Sequence, residues 1–374
     1  MNRDADKTRS VTTRSKQRAV PTGRAQRLGK FARLAGGVAG NMLAHGAAQL
    51  ATGKRPRVKD LLLTPKNAMR FTKQLAEMRG AAMKLGQILS MDTGDLLPQE
   101  LADILATLRN AGYAMPDTQL QEVLIDGLGP NYEKKLKGFE PRPFAAASIG
   151  QVHRLSTRDG RAAVLKVQYP GVRESIDSDV DNLASLLRVS GLLPKHMNMS
   201  PLLAEAKSQL HEEADYEQEA RYLNAFVRAL GDDERFLLPR VIPSLSSSRI
   251  LGMTFVPGQP IEDVAHADAS ERNRVAALLL ELFLVELFQL RLVQTDPNFA
   301  NYQYNPETGQ VVLLDFGASR RFKASLVQGY RDLLAGAVAG DRPAMVKSAE
   351  AIGYQLGPDN SSHQQTLLEL ADIA

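Results

Sequence analysis

The block Thr295-Asp296-Pro297-Asn298-Phe299-Ala300-Asn301 is followed, fourteen residues after Asn301, by Asp315-Phe316-Gly317. Between them, Asn305-Pro306-Glu307-Thr308-Gly309 carries the residue types of a tight turn. The flanking runs therefore read as two short antiparallel strands that return the chain beside its own start. Asn301 and Asp315 then converge on one point. An amide oxygen and a carboxylate are hard ligands, suited to Mg²⁺ bridging nucleotide phosphates. Asp296 is left to position or deprotonate an attacking hydroxyl. Taken alone, Asp-Phe-Gly is a weak signal whose plain alternative is a turn carboxylate capping the next helix. Order, spacing and hairpin together predict a phosphotransfer site.

An Asp with an Asn five positions on also matches the D-x-x-x-x-N spacing of a kinase catalytic loop. Upstream, Lys166 lies within Ala163-Val164-Leu165-Lys166-Val167, an apolar strand, where an unpartnered lysine is costly and an acidic partner is expected. Ser200-Pro201 reads as the start of a long helix, Ser as N-cap and Pro in the first helical position, running to about Leu230. On that helix Asp215 and Glu219 are four apart and share a face, whereas Glu213 points away from Asp215. The bland alternative is a snorkelling edge lysine and a solvated acidic face. The order of strand lysine, helix glutamate, loop Asp and metal Asp argues for the kinase reading.

Three departures from the kinase pattern stand out. Where a kinase has a Gly-rich loop over the phosphates, this chain has Ala145-Ala146-Ala147-Ser148-Ile149-Gly150, whose methyl groups restrict φ. The catalytic loop reads Gln294-Thr295 in place of His-Arg. After Phe316-Gly317 no activation segment and no A-P-E follow, and a helix is expected almost at once, so the usual platform for a peptide substrate is missing. A Walker A loop is absent too, since Gly23 to Gly29-Lys30 is one residue too long and Phe31 follows.

The texture along the chain predicts an α+β protein in two lobes. Strands are expected over Gln151–Leu155 and Ala162–Gln168, turned by Arg158-Asp159-Gly160, with Pro170-Gly171 closing the sheet. A further strand over Arg249–Val256 ends in Pro257-Gly258, a crossing between lobes. Beyond it come a helix over Ala269–Leu292, the small hairpin, and helix to the end, the last over Gln364–Ala374. Before Phe139 the pattern is helical, weakly over Leu34–Ala51 and more plainly over Leu61–Leu108, with Pro98 marking a break. The expected division is a basic disordered tail over 1–34, a helical extension over 35–138, a sheet-bearing lobe over 139–256 and a helical lobe over 257–374.

Charge separates the tail from the body. Residues 1–34 hold ten Lys/Arg against two Asp, a balance of +8, while the rest of the chain is about −4. Such a tail can meet nucleic acid, an anionic membrane surface, or nothing but water. Its only ring is Phe31, so stacking on bases has no support and nucleic acid is not an expected partner. The absence of cysteine excludes disulfides, thiolate metal sites and a cysteine nucleophile, and the six histidines are scattered singly. The most apolar stretch, Val275 to Phe288, is broken by Glu281 and Glu286 and reads as a core helix. The arginine-rich start fits either a mitochondrial transit peptide or a bacterial cytoplasmic tail.

From about residue 55 to its end the chain resembles the UbiB/AarF family of atypical protein-kinase-like proteins. Six ordered motifs carry the resemblance: Lys84-Leu85-Gly86-Gln87, Ala145–Gln151, Lys166-Val167-Gln168-Tyr169-Pro170-Gly171, Glu213-Ala214-Asp215-Tyr216 with Glu219-Ala220, Gln294–Asn301 and Asp315–Gly317. The resemblance implies a bilobal protein-kinase-like fold with an N-terminal helical extension carrying the K-x-G-Q motif. It implies that Lys166 pairs with Glu219 and contacts the phosphates of ATP or ADP, while Asn301 and Asp315 hold Mg²⁺ and Asp296 is the catalytic Asp. Ala145, Ala146, Ala147, Ser148, Gly150 and Gln151 would line the nucleotide. Lys84, Gln87, Glu213 and Asp215 would form the family's insertion over the active site. Family members usually continue further, so the helical lobe reads as incomplete. The implied function is a kinase-like ATPase supporting ubiquinone or related isoprenoid-lipid metabolism at a membrane surface. Its implied partners are a lipid or quinone precursor and quinone-biosynthesis enzymes. Its place would be cytoplasmic and peripheral on a bacterial inner membrane, or mitochondrial in a eukaryote. The rival reading is a nucleotide-regulated, lipid-binding or chaperone-like module without phosphotransfer; an ordinary protein kinase is weaker.

Overall fold

Strand β3 shows how the sheet is built. The computed structural model describes residues 114–190, 199–296, 298–356 and 361–371, with 29, 80–82, 84 and 85. Along the chain come α1 (Asp117–Leu128), β1 (Ala145–Ala146), β2 (Gly150–Ser156), β3 (Ala162–Gln168), α2 (Val172–Ser190), α3 (Ser200–Glu213), α4 (Tyr216–Leu230), β4 (Phe236–Leu237) and β5 (Ile250–Thr254). Then follow β6 (Gln259–Pro260), α5 (Ala269–Val285), β7 (Leu292–Gln294), β8 (Tyr302–Asn305), β9 (Gln310–Leu313), β10 (Ser319–Arg321), α6 (Ala324–Ala339), α7 (Arg342–Ala351) and α8 (Ser361–Ala371). The chain divides into two units: residues 1–221 with 240–255, and residues 222–239 with 256–374.

In the first unit an antiparallel sheet runs β1-β2-β3-β5. Side chains alternate along β3, so Ala163, Leu165 and Val167 enter one core with Leu155, Ile250 and the buried face of α1 (Leu120, Val123, Leu124, Leu128). Lys166 takes the opposite face. Close approach of α1 depends on Gly127, where a Cβ would lie 2.6 Å from Ile250 Cδ1. The β2–β3 turn is the expected Arg158-Asp159-Gly160, with Gly160 at φ +86° as only glycine tolerates easily. Pro170-Gly171 does not close the sheet. It leads directly into α2, a helix the sequence reading did not anticipate, and the edge is completed by β5, with Leu251 opposite Lys166.

The long helix expected from Ser200 to Leu230 is two helices. Met199 occupies the capping position and Ser200 is already helical, with Pro201 in the first turn where a missing N–H costs nothing. α3 ends at Glu213, and the break at Ala214-Asp215 is held by Asp215 itself, whose Oδ1 accepts the Gln218 N–H at 2.9 Å. Asp215 therefore caps α4 and does not share a helical face with Glu219.

In the second unit Asp268 caps α5 by accepting the Glu271 N–H at 2.9 Å. The helix expected over Ala269–Leu292 ends earlier, passing through a π turn over Glu286–Leu290 to Arg291 at φ +51°. Leu292 already belongs to a strand. The second sheet runs β4-β9-β8-β6, with β4 parallel to β9 and the rest antiparallel. Its β8–β9 pair is the hairpin expected around Asn305 to Gly309. A second difference follows Gly317, where β10 pairs with β7 before α6 begins at Ala324. The tail apart from residue 29, the stretches Leu34–Ala51 and Leu61–Leu108 apart from residues 80–82, 84 and 85, Pro98 and Gln87 lie outside the described residues. Among the described residues no helix is long and apolar enough to cross a membrane.

Candidate functional site

Lys166 is carried on the face of β3 turned away from the α1 core, and its ammonium donates to both carboxylate oxygens of Glu219 at 2.7 and 2.9 Å. Lys166 is 8% exposed and Glu219 1%. Glu219 lies in the first turn of α4, where the helix N-terminus also favours its negative charge. The lysine lies 5.2 Å from the Tyr216 ring centroid, a cation–π contact that adds to the pair. Of the two acids considered for Lys166, the structure selects Glu219.

The alanine segment is a hairpin of extended chain. Ala145 and Ala146 pair with Val152 and Gln151, are exposed, and have no positive φ. The turn closes through Ala147 N–H to the Gly150 carbonyl at 3.0 Å. Gly150 is required by close approach, since a Cβ there would lie 2.3 Å from the Val167 carbonyl oxygen. Ser148 donates to Glu213 Oε2 at 2.7 Å, and Lys84 pairs with Glu213 Oε1 at 2.9 Å. One carboxylate thus joins the tip of the alanine hairpin to Lys84. Gln151, by contrast, faces the interior. Its Oε1 accepts the Met115 N–H at 3.0 Å, and its Nε2 meets His153 Nε2 at 2.8 Å. The other His153 nitrogen faces the Glu140 carbonyl at 2.9 Å, and burial lowers the histidine's pKa. A neutral ring protonated on Nδ1 satisfies both contacts. The Gln151 side chain is therefore committed to the fold and not turned toward the loop surface.

The second unit holds the loops of Asp296, Asn301 and Asp315. Asn298 Oδ1 accepts the Ala300 N–H at 3.0 Å and starts the 3₁₀ turn Phe299–Asn301. Asn301 donates through Nδ2 to the Asp296 carbonyl at 3.0 Å, and its own carbonyl accepts the Leu314 N–H at 3.1 Å. The hairpin register, Tyr302 opposite Leu313, sets Asn301 beside the chain that enters Asp315. Asp315 Oδ1 accepts the Gly317 N–H at 2.9 Å, and Phe316 is buried against Phe226 with ring centroids 5.0 Å apart. With Nδ2 engaged, Asn301 offers Oδ1; with Asp315 this is an all-oxygen set of the kind Mg²⁺ accepts.

Residues the sequence reading did not place also meet here. Gln294 Oε1 accepts the Asp296 N–H at 2.6 Å, and Gln294 Nε2 donates to the Asp315 carbonyl at 3.0 Å. Its backbone N–H donates to Glu286 Oε2 at 2.9 Å. Burial pushes the Glu286 carboxyl up to about 7. Tyr302 is pushed up to about 12, by burial first and then by the charges of Glu286 and Asp296. The available signal for Glu286 was an acid inside an otherwise apolar helical run.

The family model of the ABC1 atypical kinase-like domain matches residues 107–349. Atypical kinase COQ8, mitochondrial, of Saccharomyces cerevisiae is 39% identical over 361 residues, covering 96% of this chain and 72% of that protein. The coq-8 atypical kinase of Caenorhabditis elegans is 38% identical over 366 residues, and the chain spans 48% of its length. Among solved structures, the complex of Rv3197 with erythromycin from Mycobacterium tuberculosis aligns with a TM-score of 0.54 at 26% identity, over 81% of this chain and 79% of that one. The α+β fold is protein-kinase-like.

Proposed function

This chain belongs to the UbiB/AarF family of ABC1 atypical kinase-like proteins, and from that premise we infer that it binds ATP or ADP with Mg²⁺ and acts as a kinase-like ATPase supporting ubiquinone biosynthesis. The observation that carries the reading is the buried Lys166–Glu219 pair. Desolvating two charges inside a fold is expensive, so the pair is poor economy for stability alone. Placing a fixed cation where phosphates bind accounts for it.

In this reading Lys166 orients the phosphates, steadied by Glu219. Asn301 and Asp315 hold Mg²⁺, which when bound supplies positive charge against the phosphate oxygens. Asp296 accepts the proton of the attacking hydroxyl, from water or a small lipid-like acceptor. An acceptor other than a peptide is supported by the missing A-P-E segment and by the mycobacterial relative solved with erythromycin, a small molecule. The +8 tail over residues 1–34 supports action at an anionic membrane surface.

One observation favours the rival reading of a nucleotide-regulated, lipid-binding module. Ser148, Glu213 and Lys84 tie the alanine hairpin to the K-x-G-Q segment, an arrangement suited to restraining the loop. Phosphate release from ATP, measured with and without Mg²⁺ and with a phenol-like or lipid ligand, separates the two. Mg²⁺-dependent release supports the ATPase; nucleotide binding without release supports the module. Profiling of quinones and their precursors in a strain lacking the protein tests the pathway, and an unchanged profile rejects it.

A further inference from the structure

Gln294 stands where the kinase loop pattern has histidine, and it is none of the groups proposed to touch nucleotide or metal. Its planar amide is engaged at both ends, accepting from the Asp296 N–H at 2.6 Å and donating to the Asp315 carbonyl at 3.0 Å. One uncharged side chain thus spans two loops whose aspartates are nineteen residues apart. The glutamine amide is donor and acceptor at once, and its length reaches both backbone groups. A carboxylate could accept from Asp296 but would meet the Asp315 carbonyl without a proton, and asparagine is one methylene short.

The backbone of Gln294 is secured as well. Its N–H donates to Oε2 of Glu286 at 2.9 Å, and Glu286, in the π turn, is 4% exposed. Across the strand pair it lies opposite Ser319, and the next residue, Thr295, donates through both N–H and Oγ1 to the Ala318 carbonyl at 3.1 and 2.6 Å. Every one of these contacts lies within the second unit.

We propose that Gln294 is a positioning residue that sets the separation of the Asp296 and Asp315 backbones, and that the buried Glu286 carboxyl fixes Gln294 in turn. The consequence for turnover rests on the phosphoryl-transfer reading of those two aspartates; the latch itself does not. Catalysis through oriented groups is sensitive to displacements of about 1 Å, which cost on the order of 100-fold.

The test uses the full chain and the variants Gln294→Met, which keeps length but loses both hydrogen bonds, and Gln294→Glu, which keeps only the acceptor. Amide hydrogen exchange at Asp296 is followed by mass spectrometry, beside kcat and KM for MgATP, with thermal melting to confirm folding. Exchange at Asp296 is expected to quicken at least about 10-fold in Gln294→Met and little in Gln294→Glu. kcat is expected to fall about 10- to 100-fold in both, with KM for MgATP within about 3-fold of wild type. If Gln294→Met does not fold, Gln294→Glu carries the kinetic arm and Glu286→Gln, which retains an acceptor, is expected to keep wild-type exchange at Asp296. Unchanged exchange in Gln294→Met overturns the latch, and quickened exchange with unchanged kcat overturns its positioning role. A wild-type chain without Mg²⁺-dependent turnover overturns the phosphoryl reading, and exchange at Asp296 then decides the latch alone.

Discussion

The side-chain amide of Asn301 donates to the backbone carbonyl of Asp296, 3.0 Å away, so the loop that presents Asp296 is braced by the residue proposed to ligate the metal. In the proposed metal site Asn301 would contribute a neutral oxygen, and the negative charge of the pair would come from Asp315. Asp315→Asn is therefore expected to remove Mg²⁺-dependence from nucleotide binding, at a cost of about several kcal/mol in MgATP affinity. Calorimetric titrations of ATP at a series of Mg²⁺ concentrations check it; an affinity that still rises with Mg²⁺ as in wild type counts against the assignment.

Lys166→Met is expected to destabilise the chain by about 3–5 kcal/mol, because Glu219 is left buried and uncompensated. The double variant Lys166→Met/Glu219→Met removes the stranded charge and should recover a large part of that loss. Urea unfolding of wild type, both singles and the double measures the coupling. Strict additivity would show that the two side chains do not act as a pair.

Glu286 predicts a pH dependence of stability. Its carboxyl is pushed up to about 7 in the folded chain, from 4.5 when exposed, so between those values the folded chain holds a proton that the unfolded chain has released. Stability from this group is present in full below 4.5, falls as pH rises toward 7 and is level above it, by a total on the order of 3 kcal/mol. Tyr302 feels the charges of both Glu286 and Asp296. His153, whose pKa is lowered by burial, works in the opposite sense as pH falls through its ordinary value of 6.5. Comparing wild type with Glu286→Gln at pH 5 and pH 8 isolates the contribution; parallel curves would remove it.

Ala145 and Ala146 sit in extended, strand-paired chain, so alanine there restricts the loop by what it forbids and not through a strained φ. Ala146→Gly opens the positive-φ conformations that alanine disfavours by about 1–2 kcal/mol, and loosens the strand by roughly 0.5–1 kcal/mol. The expected outcome is a slightly lower melting temperature with the ratio of ATP to ADP affinity moved toward ATP. Calorimetry with both nucleotides decides it, since a fixed ratio rejects the hairpin as a nucleotide selector.

How far the sequence led differs from one element to the next. The β2–β3 hairpin and the β8–β9 hairpin were legible because their turns are local chemistry, Gly160 and the Asn305 to Gly309 run. The pairing of Lys166 with Glu219 rested on motif order, since nothing local distinguishes Glu219 from Asp215. The break at Ala214-Asp215 was hidden because Asp215 is as acceptable inside a charged helix face as at a cap, and only the Gln218 N–H it accepts reveals which it is. The early end of α5 was equally hidden, because its π turn keeps an apolar pattern running through to Leu292. From sequence Gln294 reads only as a missing histidine; its two hydrogen bonds go to the backbone of Asp296 and Asp315, and no residue pattern announces such contacts.

The β8–β9 register joins Tyr302 to Leu313 at its base and Asn305 to Gln310 near its tip. Asn301 and Asp315 lie just outside the base, so their placement side by side depends on which residues pair and not on how many lie between them. The fourteen-residue interval is thus an accident of hairpin length. Evolution is free to lengthen or shorten the tip and keep the same two residues together, so long as the register at the base is kept. Distant kin with the same chemistry should then differ in this interval, and a fixed-gap pattern would pass them over.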